Sequence, residues 1–289
     1  MIELLDQLNI NYSESGKHHT QGWVQVHCPY CDTDSTPGGI HLSKFYFHCW
    51  RCGWQRLSIV LSELSGIPER DIKRLLKKLE PEERIFGLGT EKKDRKLTLP
   101  HGTANMRINH YRYLKSRKFS VPRMIKYWKL MGINHLGPYK FRIIAPIYLD
   151  GVLVSYQGRD ITGKSPLKYK ACSKDDEVIH HKHIVYGMDH VKNRKACIVE
   201  GITDVWRIGP GCVATFGMQF TPQQVYLLAQ RLDEAWILFD AGDTEQEQAK
   251  KLAYELTAFG IKTSLVLLDE GDPADMNHSQ VTEIRELLK

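Results

Sequence analysis

The 289-residue sequence predicts a multi-domain α/β protein, with a cysteine-rich β-ribbon first, a basic mixed α+β subdomain next and a parallel α/β sheet last. Three observations predict this: two Cys-x2-Cys pairs near the N-terminus, a long stretch without acidic residues, and three apolar runs that each end in an acid. A chain of this length holds two or three compact units. No apolar run approaches the ~20 residues that span a bilayer, so no membrane partner is expected.

The first element is built on four cysteines. They form two pairs separated by 17 residues: Cys28, Cys31, Cys49 and Cys52. This spacing lets two tight turns close on one tetrahedral Zn²⁺ through four thiolates. Because such a site has no open position for a substrate, the zinc is expected to be structural. Between the pairs, a turn at Pro37–Gly39 and a strand-like run at Phe45–His48 predict a short β-ribbon.

Two other interpretations of the cysteines stay open. The same residues could form two disulfides, but the N-terminus has no secretory signal. This favours a reducing, cytoplasmic location (the host cytoplasm if the chain is viral), where disulfides are rare. A histidine could also replace one cysteine as a ligand, and three lie close by in the sequence: His27, His41 and His48.

Composition and periodicity divide the chain into four segments. Residues 1–56 form the zinc unit, and residues 57–104 form two helices followed by a charged linker rich in Pro and Gly. Residues 105–192 form a basic subdomain, in which Asp150–Gly151 between two apolar runs predicts a β-hairpin. Residues 193–289 alternate strand and helix patterns, which predicts a mostly parallel sheet.

The basic subdomain has an unusual charge distribution. The chain has a net charge of +6, and the 55 residues between Asp94 and Asp150 contain twelve Lys or Arg and no Asp or Glu. Tyrosine, Phe and Trp residues are interleaved with these cations. Cations that follow a phosphate backbone and rings that stack on bases are typical of single-stranded nucleic-acid binding. The alternative is an ordinary basic surface, with some of the aromatic residues in the core.

Carboxylates follow the three apolar runs of the last segment. The runs end at Glu200, Asp240 and Asp269. Because ligands of open α/β sheets bind beyond the carboxyl ends of the strands, these acids are expected to lie at one edge. A cluster of carboxylates repels itself unless cations neutralise it, and oxygen ligands suit Mg²⁺ or Mn²⁺. Asp243, just ahead of the next predicted helix, is placed to join such a site.

Together these motifs resemble DNA primases of the bacterial and phage type. The matching segments are the four N-terminal cysteines, Phe141–Ile147, Gln157–Asp160, Lys168–Lys170, Val185–Asp189, Glu200–Asp204, Asp240 and Gly271–Asp275. The all-cysteine zinc site is similar to that of phage primase-helicases. The last three segments resemble the TOPRIM metal site that primases share with topoisomerases, which implies a TOPRIM-like C-terminal sheet.

The resemblance implies synthesis of short RNA primers on single-stranded DNA from ribonucleoside triphosphates, with a separate replicative helicase as a possible partner. It implies that Asp240, Asp243 and Asp272 hold Mg²⁺ or Mn²⁺, and that Glu200 binds metal or accepts the proton of the attacking 3′-hydroxyl. The cations expected to contact triphosphates or template are Arg142, Arg159, Lys168 and Lys170. The family usually has Asp-x-Asp after the second strand, whereas here the second acid, Asp243, is displaced by one residue.

Two alternative functions stay open on the sequence. A TOPRIM nuclease would use the same kind of metal cluster to hydrolyse DNA, but it would not need Arg159 or the segment Lys168–Lys170. A non-catalytic replication accessory would bind single-stranded DNA only. The acids Glu200 and Asp240 argue against this accessory, and the displaced Asp243 argues for it.

Overall fold

A computed structural model describes most of the chain. The described residues are 1–14, 22–31, 37–42, 45, 47–51, 53–79, 96–268 and 270–289. The chain divides into two compact units. The first comprises the described residues of Met1–Gly87 together with Ala253–Thr263, and the second comprises those of Leu88–Leu252 and Ser264–Lys289. Cys52, Asp269 and most of the predicted linker lie outside the described residues.

An antiparallel sheet and three helices form the first unit in the described residues. The sheet has five strands in the order β1 (Tyr12–Ser13), β2 (Trp23–Val26), β3 (Gly38–His41), β4 (Phe47–Cys49) and β5 (Gly53–Gln55). The helices are α1 (Ile2–Gln7), α2 (Leu57–Ser65) and α3 (Glu69–Leu79). Buried residues of α1 and α2 share one hydrophobic core with strand residues and with Cys28 and Cys49. Helix α2 thus packs in the core of the cysteine-rich unit, while the domain boundaries at 56, 104 and 192 stay predictions.

The turn predicted at Pro37–Gly39 is wrong. Gly38 and Gly39 open strand β3, which pairs with β2 on one side and β4 on the other. Their lack of a side chain serves close packing: a Cβ at Gly38 would lie 2.6 Å from the ring of Phe47, and a Cβ at Gly39 would lie 2.6 Å from the ring of Trp50. A glycine in the sequence can therefore indicate either a turn or a strand position at which a neighbouring group packs closely.

A second antiparallel sheet opens the second unit. Its order is β6 (Met131–Ile133), β7 (Arg142–Leu149), β8 (Val152–Asp160) and β9 (Tyr169–Ala171), and it follows helices α4 (Ile108–Ser116) and α5 (Val121–Trp128). The predicted hairpin at Asp150–Gly151 is present, with φ of 53° at Asp150 and 76° at Gly151. Positive φ at both central residues is the geometry of the tight turns that join twisted strands.

The third sheet is the α/β part. Its order is β11 (Cys212–Ala214), β10 (Lys195–Val199), β12 (Glu234–Ile237) and β13 (Lys262–Leu265). Strand β10 is parallel to both β11 and β12. The helices are α6 (Ile202–Ile208), α7 (Pro222–Arg231), α8 (Asp243–Ala258) and α9 (His278–Leu287). The predicted α/β class with an N-terminal cysteine cluster is confirmed. Of the helices that the structure describes, none combines the length and apolarity needed for a membrane span.

Candidate functional site

Strand register brings Glu200 and Asp240 together. Strands β10 and β12 are parallel neighbours, with Ile198 opposite Ile237. Glu200 directly follows β10, and Asp240 comes three residues after β12, so both leave the sheet at the same edge. The amide N–H of Asp240 donates to Oε1 of Glu200 at 3.0 Å. The sheet topology therefore places two acids that are 40 positions apart in hydrogen-bond contact.

Two further acids face the same point from helical turns. Asp204 lies in the first turn of α6, and its Oδ2 accepts the N–H of Gly201 at 2.7 Å. It is only 4% exposed. Asp272 precedes a 3-10 helix of one turn, Pro273–Asp275, and its Oδ1 accepts the N–H of Ala274 at 2.6 Å. Each carboxylate is thus held by a backbone donor at the start of a turn.

The four acids repel one another electrostatically. Burial, with smaller contributions from the charges of Asp240, Glu245 and Asp272, raises the pKa of Glu200 to about 7, although the hydrogen bond from the N–H of Asp240 opposes this rise. Burial likewise raises the pKa of Asp204 to about 8 and that of Asp240 to about 6, and the charge of Asp272 contributes to both. We define Glu200, Asp204, Asp240 and Asp272 as the acidic cluster. Its uncompensated charge and oxygen donors fit a divalent cation such as Mg²⁺ or Mn²⁺.

These raised pKa values predict a pH-dependent stability. The pKa values of these acids are higher in the folded state than in the unfolded state, where they are about 4. Their contribution to the stability of the fold is therefore fully present below about pH 4. It is lost as the pH rises through the folded values between about 6 and 8. Histidines whose pKa values are lowered by burial, such as His110 and His183, act in the opposite direction near pH 6, so the acids are followed as the difference in melting temperature between the wild type and a variant that lacks one charge. Measured without added Mg²⁺, this difference should shift against the wild type from pH 6 to pH 9, and Mg²⁺ should raise the wild-type melting temperature more at pH 9 than at pH 6.

Asp204→Asn provides the matched test of this expectation. The amide oxygen can still accept the N–H of Gly201, but the charge is gone, so the variant should melt at a higher temperature than the wild type at pH 9. Asp233→Asn is the control, because Asp233 is exposed and pairs with Arg194 at 3.0 Å away from the cluster. A difference in melting temperature between Asp204→Asn and the wild type that stays constant from pH 6 to pH 9 would contradict the expectation.

The structure does not bring Asp243 into the acidic cluster. Asp243 is the first residue of α8 and is exposed. Its charge is not among those that act on Glu200, Asp204 or Asp240 in the described structure. Glu245 acts on both Glu200 and Asp240 instead. Its carboxylate lies over Gly242, where a Cβ would collide with it. The helix therefore presents Glu245, two residues further on, toward the cluster.

Of the four predicted cations, Arg159 is buried, with N–H groups that are unpartnered among the described residues, and Lys168 is exposed near Asp240. Arg159 is 6% exposed and stacks on Tyr169, 4.6 Å from the ring centroid, yet its Nε and Nη1 have no hydrogen-bond partner in the described structure. The hydroxyl groups of Tyr169 and Thr203 are 2.9 Å apart, which ties this stack to helix α6. Lys168 is exposed, and its charge opposes the rise in the pKa of Asp240 that burial causes.

Arg142 and Lys170 are placed differently. Arg142 is 4% exposed and donates to the carbonyl oxygens of Gly158 and Leu167 and to the hydroxyl of Ser165 at 2.7–3.1 Å. These bonds brace the segment between β8 and β9, which favours an internal role over the predicted contact with triphosphate or template. Lys170 donates to the carbonyl of Pro138 and lies 4.9 Å from the ring centroid of Tyr139.

Three of the four predicted zinc ligands converge in the first unit. The sulfur atoms of Cys28, Cys31 and Cys49 all lie within 4.8 Å of one another. The Cys31 and Cys49 sulfurs are 3.5 Å apart, well beyond a disulfide bond of about 2.05 Å. The N–H of Arg51 donates to the Cys49 sulfur at 3.4 Å. This cluster fits Zn²⁺. The fourth predicted ligand, Cys52, lies outside the described residues.

Sequence reasoning missed Asp204 and Glu245 as members of the site. Asp204 had a signal, because it follows Glu200 by four residues and opens the helix after the strand. Glu245 had none, since Asp243, Glu245 and Glu247 all lie near the start of α8 and only packing selects among them. Some of the aromatic residues interleaved with the cations were expected to lie in the core, and Phe119, Trp128 and Tyr139 are buried there.

The fold is shared with solved primases. No protein-family model and no curated protein matches the chain. The Aquifex aeolicus primase, with zinc-binding and RNA polymerase domains, is similar over 99% of this chain and 82% of that chain, at 20% identity and a TM-score of 0.57. The E. coli primase catalytic core is similar over 62% of this chain and 71% of that chain, at 18% identity and a TM-score of 0.52. A DnaG primase catalytic domain bound to single-stranded DNA is similar over 62% of this chain and 70% of that chain, at 18% identity and a TM-score of 0.50. The chain therefore has the fold of the zinc-binding and RNA polymerase domains of bacterial primases.

Proposed function

We propose that this protein is a DNA primase that synthesises short RNA primers on single-stranded DNA by divalent-metal-dependent nucleotidyl transfer. The observation that carries the proposal is the convergence of Glu200, Asp204, Asp240 and Asp272 at one edge of the parallel sheet. It occurs within a fold shared with primases over 99% of the chain. One of the similar catalytic domains is described as bound to single-stranded DNA, which supports the same class of template here.

The acidic cluster would hold Mg²⁺ or Mn²⁺ on the incoming ribonucleoside triphosphate. Asp240 and Asp272 are the proposed ligands, and Glu245 is a candidate for the position predicted for Asp243. When bound, the metal would neutralise the triphosphate charge and polarise the reacting oxygens. Asp204, buried and held by Gly201, would contribute negative charge behind these ligands.

Glu200 would bind metal or act on the attacking 3′-hydroxyl. Its burial raises its pKa to about 7. A carboxylate with a pKa near the working pH is suited to accept a proton and release it again. The N–H of Asp240 holds Oε1 of Glu200, which fixes the direction of the carboxylate and leaves Oε2 free of that bond.

Arg159 and Lys168 would contact the phosphates. A buried guanidinium with unpartnered N–H groups is costly unless water or a ligand satisfies it. A phosphate oxygen of the triphosphate or template would accept hydrogen bonds from these N–H groups. The stack on Tyr169 would hold the planar guanidinium in position. Lys168 would add charge next to Asp240. Lys170 is proposed for the template backbone, and Arg142 would act indirectly by bracing the segment that ends at Lys168.

The zinc unit would take part in selecting the template start site. We propose that Cys52 completes the ligand set of Cys28, Cys31 and Cys49 around a structural Zn²⁺. A replicative helicase and a cytoplasmic location belong to the same proposal, since primases act at replication forks.

One assay tests the proposed reaction. The protein is incubated with a single-stranded DNA template, labelled ribonucleotides and Mg²⁺ or Mn²⁺. Labelled oligoribonucleotides are expected. A shortened template without labelled product would instead identify a nuclease, and binding without either product would identify an accessory protein, so both outcomes would overturn the proposal.

A pair of substitutions on α8 tests which acid completes the metal site. Glu245→Gln should lower the rate of primer synthesis at least about tenfold, because metal-site contacts of this kind are worth roughly 10- to 100-fold. Asp243→Asn, a matched removal of one charge from the same helix turn, should change the rate little. Raising the Mg²⁺ or Mn²⁺ concentration should partly restore Glu245→Gln. The opposite ranking of the two variants would assign the role to Asp243.

A further inference from the structure

The second unit contains a cavity apart from the acidic cluster. It has a volume of about 440 Å³ and lies between helices α5, α6 and α9. Sites for small ligands range from about 300 to 1,000 Å³, so the cavity is large enough for one. None of the four acids of the cluster lines it.

The cavity wall carries positive charge. Four cations line it: Lys118, Arg123, Arg207 and Arg285. Among the residues that the structure describes around the cavity, none is Asp or Glu. Burial lowers the pKa of Arg285, and the nearby charge of Arg123 lowers it further. Asp275, whose charge acts on Arg207, pairs with Arg117 at 3.2 Å and does not line the cavity. Like charges gathered in this way favour an anion between them.

Two of these cations are fixed in place and two are available. Arg207 donates to the carbonyl oxygens of Ala274, Lys118 and Arg117, and Arg285 donates to those of Ile208 and Arg207. They therefore supply charge from rigid positions. Within the part of the chain that the structure describes, the side chains of Lys118 and Arg123 make no hydrogen bond or ion pair, so their N–H groups remain available to a ligand.

Two helix N-termini add to the positive wall. Ser120 occupies the N-cap position of α5, the side chain of Asn277 caps α9, and both residues line the cavity. The N-terminal turn of a helix presents free backbone N–H groups and the positive end of the helix dipole. Together with the cations, this arrangement is suited to phosphate rather than to an isolated carboxylate.

Four aromatic side chains among the described residues also line the cavity. Phe119, Trp128 and Trp206 form an apolar floor, and the half-buried Tyr127 presents its ring beside Arg123. Nucleobases stack on accessible aromatic rings, and Tyr127 is the partly exposed ring of these four. A ligand that fits both parts of the wall combines several phosphates with a flat apolar ring system.

We infer that this cavity binds a nucleoside polyphosphate, with its phosphates between Lys118, Arg123 and the start of α9 and its base against the ring of Tyr127. This site is separate from the proposed reaction at the acidic cluster. It gives the chain a second place for a nucleotide that is not consumed.

Equilibrium dialysis with labelled ATP tests the inference. The full chain is used without added divalent cation, because the acidic cluster alone repels a triphosphate. ATP should bind at one site per chain and more tightly than either adenosine or inorganic triphosphate. Arg123→Ala and Lys118→Ala should each weaken binding about tenfold, the effect of one lost charge-assisted hydrogen bond. Arg112→Ala, which removes an exposed arginine of α4 that does not line the cavity, should bind ATP like the wild type.

Three results would overturn the inference. ATP binding that is unchanged in both Arg123→Ala and Lys118→Ala would place the nucleotide elsewhere. Equal affinity for ATP and inorganic triphosphate would exclude a base-binding role for Tyr127 and for the cavity. Loss of single-stranded oligonucleotide binding in these variants, with ATP binding intact, would assign the cavity to the template path. Melting curves of each variant confirm that the fold is retained.

Discussion

Glu200→Gln should reduce the rate of primer synthesis at least about 10³-fold, the scale of losing a group that acts on the transition state. The substitution removes the charge that would hold metal or accept the proton of the 3′-hydroxyl. It keeps the shape of the side chain, and the amide oxygen can still accept the N–H of Asp240. Folding should therefore be intact, which circular dichroism and thermal melting would show. The rate is measured as dinucleotide formation on a single-stranded template.

Glu234→Gln is the matched control for Glu200→Gln. Glu234 begins β12 and lies opposite Lys195, the first residue of β10, whereas Glu200 follows the other end of β10. It pairs with Lys195 at 3.7 Å. This variant should keep near wild-type activity. Affinity for single-stranded DNA should be similar in both variants, because neither removes a cation. Normal dinucleotide formation by Glu200→Gln would remove Glu200 from the mechanism.

Cys49→Ser should lose zinc and destabilise the first unit. Cys49 is fully buried in the hydrophobic core, 3.5 Å from the sulfur of Cys31. Binding of structural zinc contributes on the order of 10 kcal/mol to the folding of small zinc domains, so its loss leaves little to hold a short β-sheet. Zinc per chain, measured by mass spectrometry, should fall from about one to near zero. Limited proteolysis should then cut within the first unit.

Cys172→Ser controls for loss of a buried thiol. Cys172 is buried and lies outside the cysteine cluster. This variant should retain its zinc. A full zinc content in Cys49→Ser would mean that Cys49 is not a ligand. Cys52→Ser extends the test to the predicted fourth ligand, and it should lose zinc as completely as Cys49→Ser.

Much of the fold could be predicted because its signals are local. The alternating strand and helix patterns predicted for residues 193–289 include α7, Pro222–Arg231, where Thr221 caps the first turn. The dipeptide Asp150–Gly151 predicted the hairpin, because few residues accept the positive φ that its turn requires. Two Cys-x2-Cys pairs predicted a metal cluster, and three of these sulfurs converge.

Sequence reasoning is ambiguous where one residue type has two uses. Glycine permits a turn, but Gly38 and Gly39 lie in a strand because the rings of Phe47 and Trp50 leave no room for a Cβ. Arginine binds phosphate, but Arg142 turns inward to three oxygen acceptors. Sequence spacing does not distinguish these uses, because the neighbours that decide them are distant in the chain.

The sequence by itself determined the secondary structure of the α/β part and the presence of acids after its strands, because apolar periodicity and turn residues act over a few positions. Only the tertiary structure decided which acids meet. Asp204 and Glu245 approach Glu200 and Asp240 while Asp243 remains exposed, because the start of α8 and the packing of α6 set the direction of each side chain. The direction of the side chains after each strand depends on these long-range contacts, and local sequence patterns carry no information about them.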